Sequence, residues 1–237
     1  MNRSLIAWVV AFALAIGGSA LAWLWFAGGS GEPSTNLTTP AIVDSGTTTL
    51  GDSSEGDGAT FVIDWSQTLV TFEIDELLQG SPNRVVGTTD QVVGQIALDM
   101  SDLSTAQFSE IVVNARTFKT DSERRDRAIR GPIILNTASD QFELINFVVE
   151  TVSGLSGAAQ PGDVMTFSLT GSLTIKGVTS EATFDVEAKL VDELTIEGFA
   201  TTTVLRSDFG IGIPGVPGVA DVSDEVVLSI NFVAVFG

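Results

Sequence analysis

The chain of 237 residues carries 30 acidic and 11 basic side chains, a net charge of −19, and only 17% of its residues are charged, against about 25% in an average soluble domain. The acidity is a shortage of Lys and Arg, which argues against a nucleic-acid partner and against broad attraction to anionic lipid. Cys and His are absent, so disulfides, thiolate nucleophiles, Ser-His-Asp or Cys-His catalysis and metal sites built on either residue are excluded.

Residues 4–27 form an uncharged, almost wholly apolar stretch after Arg3. As a helix it would span about 36 Å at ~1.5 Å per residue, enough for a ~30 Å hydrocarbon core. Trp23, Trp25 and Phe26 stand at one end and Trp8 toward the other, where aromatic belts mark membrane interfaces. The competing reading is a cleaved signal peptide with Ala20-Leu-Ala22 as its cleavage site. Residues 1–27 are therefore expected to anchor the chain in a membrane, with the rest outside the cytoplasm. The alternative is secretion after cleavage.

Residues 28–58 change character. Eighteen of these 31 residues are Gly, Ser or Thr, five are acidic and none is basic. Such a segment reads as a flexible, disordered tether with an r.m.s. reach of about 30 Å.

From Phe61 the pattern is β-rich, with apolar runs at 61–64, 68–76, 92–99, 109–118, 142–152, 164–175, 180–191, 194–205 and 225–236. Turn signals separate them, among them Gly80-Ser-Pro82, Pro161-Gly162 and Lys176-Gly177. The alternation is cleanest in two of these runs. Met165, Phe167, Leu169, Gly171, Leu173 and Ile175 share one phase, as do Ala182, Phe184, Val186, Ala188 and Leu190. Period two with one dry face means antiparallel strands, and many short strands mean an all-β sandwich or barrel. Residues 101–106 suit a short helical turn, and residues 121–130 suit a short helix stopped by Pro132. No second domain is indicated, so residues 59–237 form one body.

Twelve of the 14 Phe lie in residues 61–237 and Tyr is absent. A Phe-rich filled core and a Phe-lined tunnel both fit, because an eight-stranded barrel is about the size that fills itself or holds one ligand. Six of the 11 basic residues fall within residues 116–130: Arg116, Lys119, Arg124, Arg125, Arg127 and Arg130. This island could meet a phosphate or carboxylate headgroup. It could equally be a solvated helix whose arginines pair with Asp121, Glu123 and Asp126. Gly210-Ile-Gly-Ile-Pro-Gly215 matches a dinucleotide fingerprint in form only, since Pro214 and Pro217 forbid the helix that must follow. Asp221, Asp224 and Glu225 cluster before the last run, where acids are ordinary surface residues, so a two-carboxylate hydrolase is the weakest reading.

Several segments in order resemble the YceI-like family of polyisoprenoid-binding, lipocalin-like β-barrels. Phe61-Val-Ile-Asp-Trp-Ser66 with Val70-Thr-Phe72 is similar to the family's opening. Phe118-Lys-Thr120 with Arg125-Asp126 resembles its T…RD segment, and Phe142-Glu-Leu-Ile-Asn-Phe147 its "FP-x-I-x-F" strand. Gly171-Ser-Leu-Thr-Ile-Lys-Gly-Val-Thr179 resembles its most specific element, and Arg206-Ser-Asp-Phe-Gly210 its "R-x-D-F-G". Departures include Glu143 in place of the proline, Arg127-Ala-Ile129 in place of the histidine segment, Phe61 in place of the opening tyrosine, and the N-terminal tether itself. The resemblance implies an extended eight-stranded antiparallel barrel with one or two short helices. It implies a lumen that holds an isoprenoid or fatty-acid-like chain, export from the cytoplasm, and no catalysis or cofactor. Phe72, Phe147, Phe167, Leu169, Leu173, Phe184, Val186, Phe209 and Phe232 are the expected ligand contacts, with Phe167, Leu169, Leu173, Phe184 and Val186 placed by strand phase and Phe209 opening an extended apolar loop, and Arg125 and Arg127 are the expected headgroup contacts. The alternative is an exported β-domain with a filled core that acts through its surface. Nothing in the sequence identifies a protein partner.

Overall fold

A computed structural model describes residues 33–34, 37–42 and 58–237. The expected membrane segment and most of the tether lie outside the described residues. Among the described residues no helix is long and apolar enough to cross a membrane.

The chain from Ala59 onward is all-β with one α-helix. Its strands are β1 (Ala59–Ile63), β2 (Leu69–Leu78), β3 (Ser81–Thr89), β4 (Val92–Val93), β5 (Gln95–Leu98), β6 (Gln107–Phe108), β7 (Ile111–Asn114), β8 (Leu144–Ser153), β9 (Val164–Ile175), β10 (Val178–Asp192), β11 (Thr195–Leu205), β12 (Val219–Ala220) and β13 (Glu225–Phe236). All pair antiparallel in one sheet ordered β4-β7-β8-β9-β10-β11-β13-β1-β5-β6, with β2 pairing β13, β3 and β12 off that path. The sheet curls into an open half-barrel.

This corrects the expected count of eight strands. The additional strands are β3, β6 and β12, which no predicted run covers, and the pair β4 and β5, into which the run 92–99 is broken. Asp64 accepts hydrogen bonds from the Ser66 amide (3.0 Å) and the Gln67 side chain (2.7 Å), building a 3₁₀ turn at Trp65–Gln67 that separates β1 from β2. Gly94 separates β4 from β5, and the predicted run 109–118 becomes β7 and a 3₁₀ turn at Ala115–Thr117. The expected helical turn near residue 103 is also 3₁₀, at Leu103–Thr105.

Strand β3 was not anticipated, because Pro82 and Asn83 read as turn residues. The turn is instead Gln79-Gly80, both at positive φ (52° and 81°), as a two-residue hairpin requires. Pro82 then falls at the start of a strand whose ladder partner is β2, a place where a missing N–H is tolerated.

The long strands carry the dry face as their phase predicts. Phe147 faces Leu173 across β8 and β9, while Leu169 faces Phe184 and Phe167 faces Val186 across β9 and β10. One end of the half-barrel is sealed by Phe61, Leu103, Leu190, Ile196 and Ala234, all essentially without solvent contact. A second cluster of Ile63, Val92, Val113, Ala115 and Phe118 fills the opposite side. Each fully buried aliphatic side chain contributes roughly 1.5–3 kcal/mol.

The helix α1 (Glu123–Arg130) starts at Ser122, whose hydroxyl accepts from the Arg125 amide, and ends at Gly131, one residue before Pro132. Its first turn holds Glu123 and Asp126 and its last Arg127 and Arg130, the order that the helix dipole favours. Asp126 is buried and accepts from the Thr120 amide (2.8 Å) and hydroxyl (2.6 Å), which ties α1 to the segment before it.

Candidate functional site

A cavity of about 150 Å³ lies between the two apolar clusters. Its wall takes side chains from β1, β2, β5, β6, β7, β8, β9, β10, β11 and β13. Among the described residues Thr71 and Ser229 are the only polar ones in the wall, and none is charged. They are cross-strand partners, flanked by the apolar pairs Val70–Ile230 and Phe72–Leu228. Two aromatic contacts shape the interior: Phe147 with Phe184 at 4.8 Å between ring centres, and Phe108 with Phe167 at 6.2 Å.

The fold brings seven of the nine expected ligand contacts together on this wall: Phe147, Phe167, Leu169, Leu173, Phe184, Val186 and Phe232. Two lie elsewhere. Phe72 packs edge-on against Phe118 at 5.2 Å, and its ring crosses Gly87 on β3 so closely that a methyl there would overlap it. Phe209 is buried in the main apolar cluster beside the Arg206–Phe209 turn, outside the cavity wall. The wall also includes Ile63, Val113, Phe118, Ile145, Leu228 and Ile230. Leu228 and Ile230 share the phase of Phe232, so alternation along the last strand carried that signal. Ile63 is the last residue of β1 and Phe118 follows the Ala115–Thr117 turn, where period two no longer discriminates.

The basic island is divided by the fold. Arg116 is buried, with its side chain 4% exposed. It donates to Glu143 (3.0 Å), Asp140 (2.6 Å) and the carbonyls of Thr137 and Ala138. Glu143 is equally buried and also accepts from the Asn114 amide at 2.9 Å. Arg125 pairs with Asp121, just before the helix, and, at 3.5 Å, with Glu76, a buried carboxylate on β2. Arg127 is the more open of the two expected headgroup contacts, with 47% of its side chain exposed and Glu123 at 3.9 Å. Neither Arg125 nor Arg127 belongs to the cavity wall. Arg130 donates to the carbonyl of Phe118 at 3.2 Å, so α1 sits at the Phe118 end of the cavity.

Several other carboxylates are held by hydrogen bonds. Asp224 accepts from the Ser207 amide and hydroxyl. The Arg206 guanidinium reaches the carbonyls of Ile211 and Ser223 at 2.9 Å each, so it staples the two stems of the Gly-Pro loop. Hydrogen bonds from Gln67 and Ser66 hold the Asp64 carboxyl below its ordinary range, and Arg84 does the same for Asp75. Burial lowers the Lys176 ammonium, whose Nζ donates to the carbonyl of Ile133 at 2.9 Å. Among the described residues no group of three or more Asp or Glu side chains converges to hold a metal.

A YceI-like domain model matches residues 61–234. A curated relative, the UPF0312 protein SAS2572 of Staphylococcus aureus, is 29% identical over 157 residues, covering 64% of this chain and 81% of the relative. Two solved structures share the fold. BcnA of Burkholderia cenocepacia superposes with a TM-score of 0.54 at 19% identity, covering 72% of this chain and 98% of that one. A polyisoprenoid binding domain from Saccharophagus degradans, implicated in plant cell wall breakdown, gives 0.56 at 11% identity, covering 76% and 99%.

Proposed function

The chain belongs to the YceI-like domain family, and on that premise we propose that it binds an amphiphilic lipid, an isoprenoid or fatty chain, in the apolar cavity. The domain works outside the cytoplasm, held at a membrane by residues 1–27. It is a binder or carrier, and catalysis is not part of the reading. One observation carries it: a cavity whose wall has no charged side chain. Such a site cannot stabilise a developing charge, but it favours every methylene it buries by ~0.8 kcal/mol. The polyisoprenoid binding named for the Saccharophagus domain agrees in chemistry.

Size qualifies the reading. An apolar cavity of about 150 Å³ stays dry and takes a ring the size of benzene. A longer chain must therefore displace or pass the half-buried wall residues Phe184, Leu228 and Ile230. For the polar end of the ligand, Arg127 is the better supported anion contact, because it is open and α1 touches the Phe118 end of the cavity. Arg125 is engaged by Glu76. The small volume also favours the second reading, a filled β-domain that acts through its surface.

Native mass spectrometry of the protein purified from its own membrane fraction separates the two. Lipid binding predicts a co-purifying apolar adduct that Phe167→Ala depletes. A ligand-free mass together with no uptake of a quinone-like or prenyl-alcohol probe would establish the filled domain instead.

A further inference from the structure

The buried Glu143 carboxylate is completed by a residue from the tether. Its Oε1 accepts from Asn114 and from the Ser34 amide at 2.6 Å, and its Oε2 accepts from Arg116 and from the Ser34 hydroxyl at 2.8 Å. A carboxylate offers about four acceptor positions, and buried acceptors are almost always satisfied. Asn114 and Arg116 supply two donors, and Ser34, 109 residues upstream of Glu143, supplies the others. The chain beyond Ser34 also lies against the protein, since Leu37, Thr39, Pro40 and Ile42 are half-buried. Two departures from the family pattern thus meet in one contact: Glu143 stands where the resembling strand has proline, and the residue it holds belongs to the added tether.

The position of the contact matters because Glu143 and β1 are at opposite ends of the half-barrel. Phe61 pairs with Ile96, and Ile96 with Phe108. Asn114 lies about six residues farther along that edge, ~20 Å at ~3.3 Å per residue, and pairs with Leu144, next to Glu143. A free tether would join the membrane segment to the β1 end through 31 residues. With Ser34 docked, the stretch between residue 27 and the contact is residues 28–33, which reach no more than about 20 Å even fully extended.

We infer that residues 33–34 and 37–42 belong to a strap, clamped by Glu143, that turns the β7–β8 end of the domain toward the membrane. This rests on the reading of residues 1–27 as an anchor. The strap converts a long tether, indifferent to orientation, into a short one that presents the α1 and Phe118 end of the cavity to the bilayer from which a lipid would come.

The chain has no cysteine, so single labels can be placed without background. Full-length protein in phosphatidylcholine vesicles carries a fluorophore at Ala138→Cys, beside the Glu143 contact, or at Glu193→Cys, in the exposed β10–β11 hairpin at the β1 end. A quencher attached to lipid headgroups reads proximity. The expected result is severalfold stronger quenching at position 138 than at position 193. Ser34→Pro removes both donors without altering any residue of the folded body, so its melting temperature serves as the folding control. It should bring the two labels to within about twofold, with Ser34→Ala between. Equal quenching in the parent chain, or a bias that survives Ser34→Pro, overturns the strap. Release of the protein from vesicles by a carbonate wash overturns the anchor instead, and the orienting role with it.

Discussion

The cavity and the β7–β8 end occupy the same sheet and solve opposite problems. In the cavity, strands from both sides of the half-barrel meet with no charged group between them. At the start of β8, Asn114, Arg116 and Glu143 are buried together and satisfy one another. The first region gains by excluding water from carbon and leaves room over. The second cannot leave room, because each buried charge needs its partners in place. Slack is tolerated where ligand binding needs it, and the polar cluster holds the frame around it.

The comparison is tested most severely at its polar member. Arg116→Ala strands the Glu143 carboxylate and frees the carbonyls of Thr137 and Ala138. It should cost about 3–5 kcal/mol, read as a shift in the urea midpoint. A loss below ~1 kcal/mol would mean that the cluster is solvated rather than a frame.

Phe167→Ala attacks the wall of the cavity. Its loss should fall at the lower end of the ~3–5 kcal/mol typical of buried Phe, because a side chain bordering empty space has fewer contacts to lose. Probe uptake should fall as well. Stability loss with unchanged uptake would place Phe167 in ordinary core.

Phe184→Ala should separate the two properties further. Phe184 is half-buried and faces both Phe147 and the cavity. A cost of about 1–2 kcal/mol is expected, and a long-chain lipid should load faster once the ring no longer narrows the space.

Arg127→Ala should change stability by less than ~1 kcal/mol, as expected for an exposed pair. It should nonetheless weaken a phosphorylated isoprenoid several-fold more than a neutral, quinone-like one. The gap should close as salt rises past ~0.15 M. Equal losses for both ligands, independent of salt, would assign α1 a structural role only.

The smallest effect belongs to the acid limb. The Asp64 carboxyl is held below its ordinary value of 3.8 by Gln67 and Ser66. Its contribution is therefore present above that value and lost as pH falls through the lower folded value. Asp64→Asn should lower the melting temperature slightly near pH 7, where that contribution is otherwise present, and flatten the profile below about pH 4, where parent and variant converge.

Much of the wall was legible before the fold. Phe167, Leu169, Leu173, Phe184 and Val186 follow from alternation, because a pleated strand sends every second side chain to one face whatever its partners are. Phe232 follows the same rule on the last strand. The rule failed for Phe72, which shares the phase of its neighbours but is covered by β3, a strand hidden behind Pro82 and Asn83. Alternation has nothing to say of Phe209, which opens the loop, precedes a left-handed Gly210 (φ 63°) and belongs to no strand.

The basic island shows where local reading stops. Six cations in fifteen positions are visible in the chain, but their roles depend on carboxylates far away in sequence. Arg125 meets Glu76, 49 residues off, and Arg116 meets Glu143, 27 residues off. Composition and period two, which need only the nearest residues, determined that this is an acidic, all-β domain with a dry face and no His or Cys chemistry. Only the tertiary structure decided that some of its arginines are buried struts, that an open half-barrel of thirteen strands leaves a void of about 150 Å³, and that the tether is caught at Ser34. Those outcomes depend on long-range register and on which buried charges find partners, and both are properties of strands brought together rather than of any one segment.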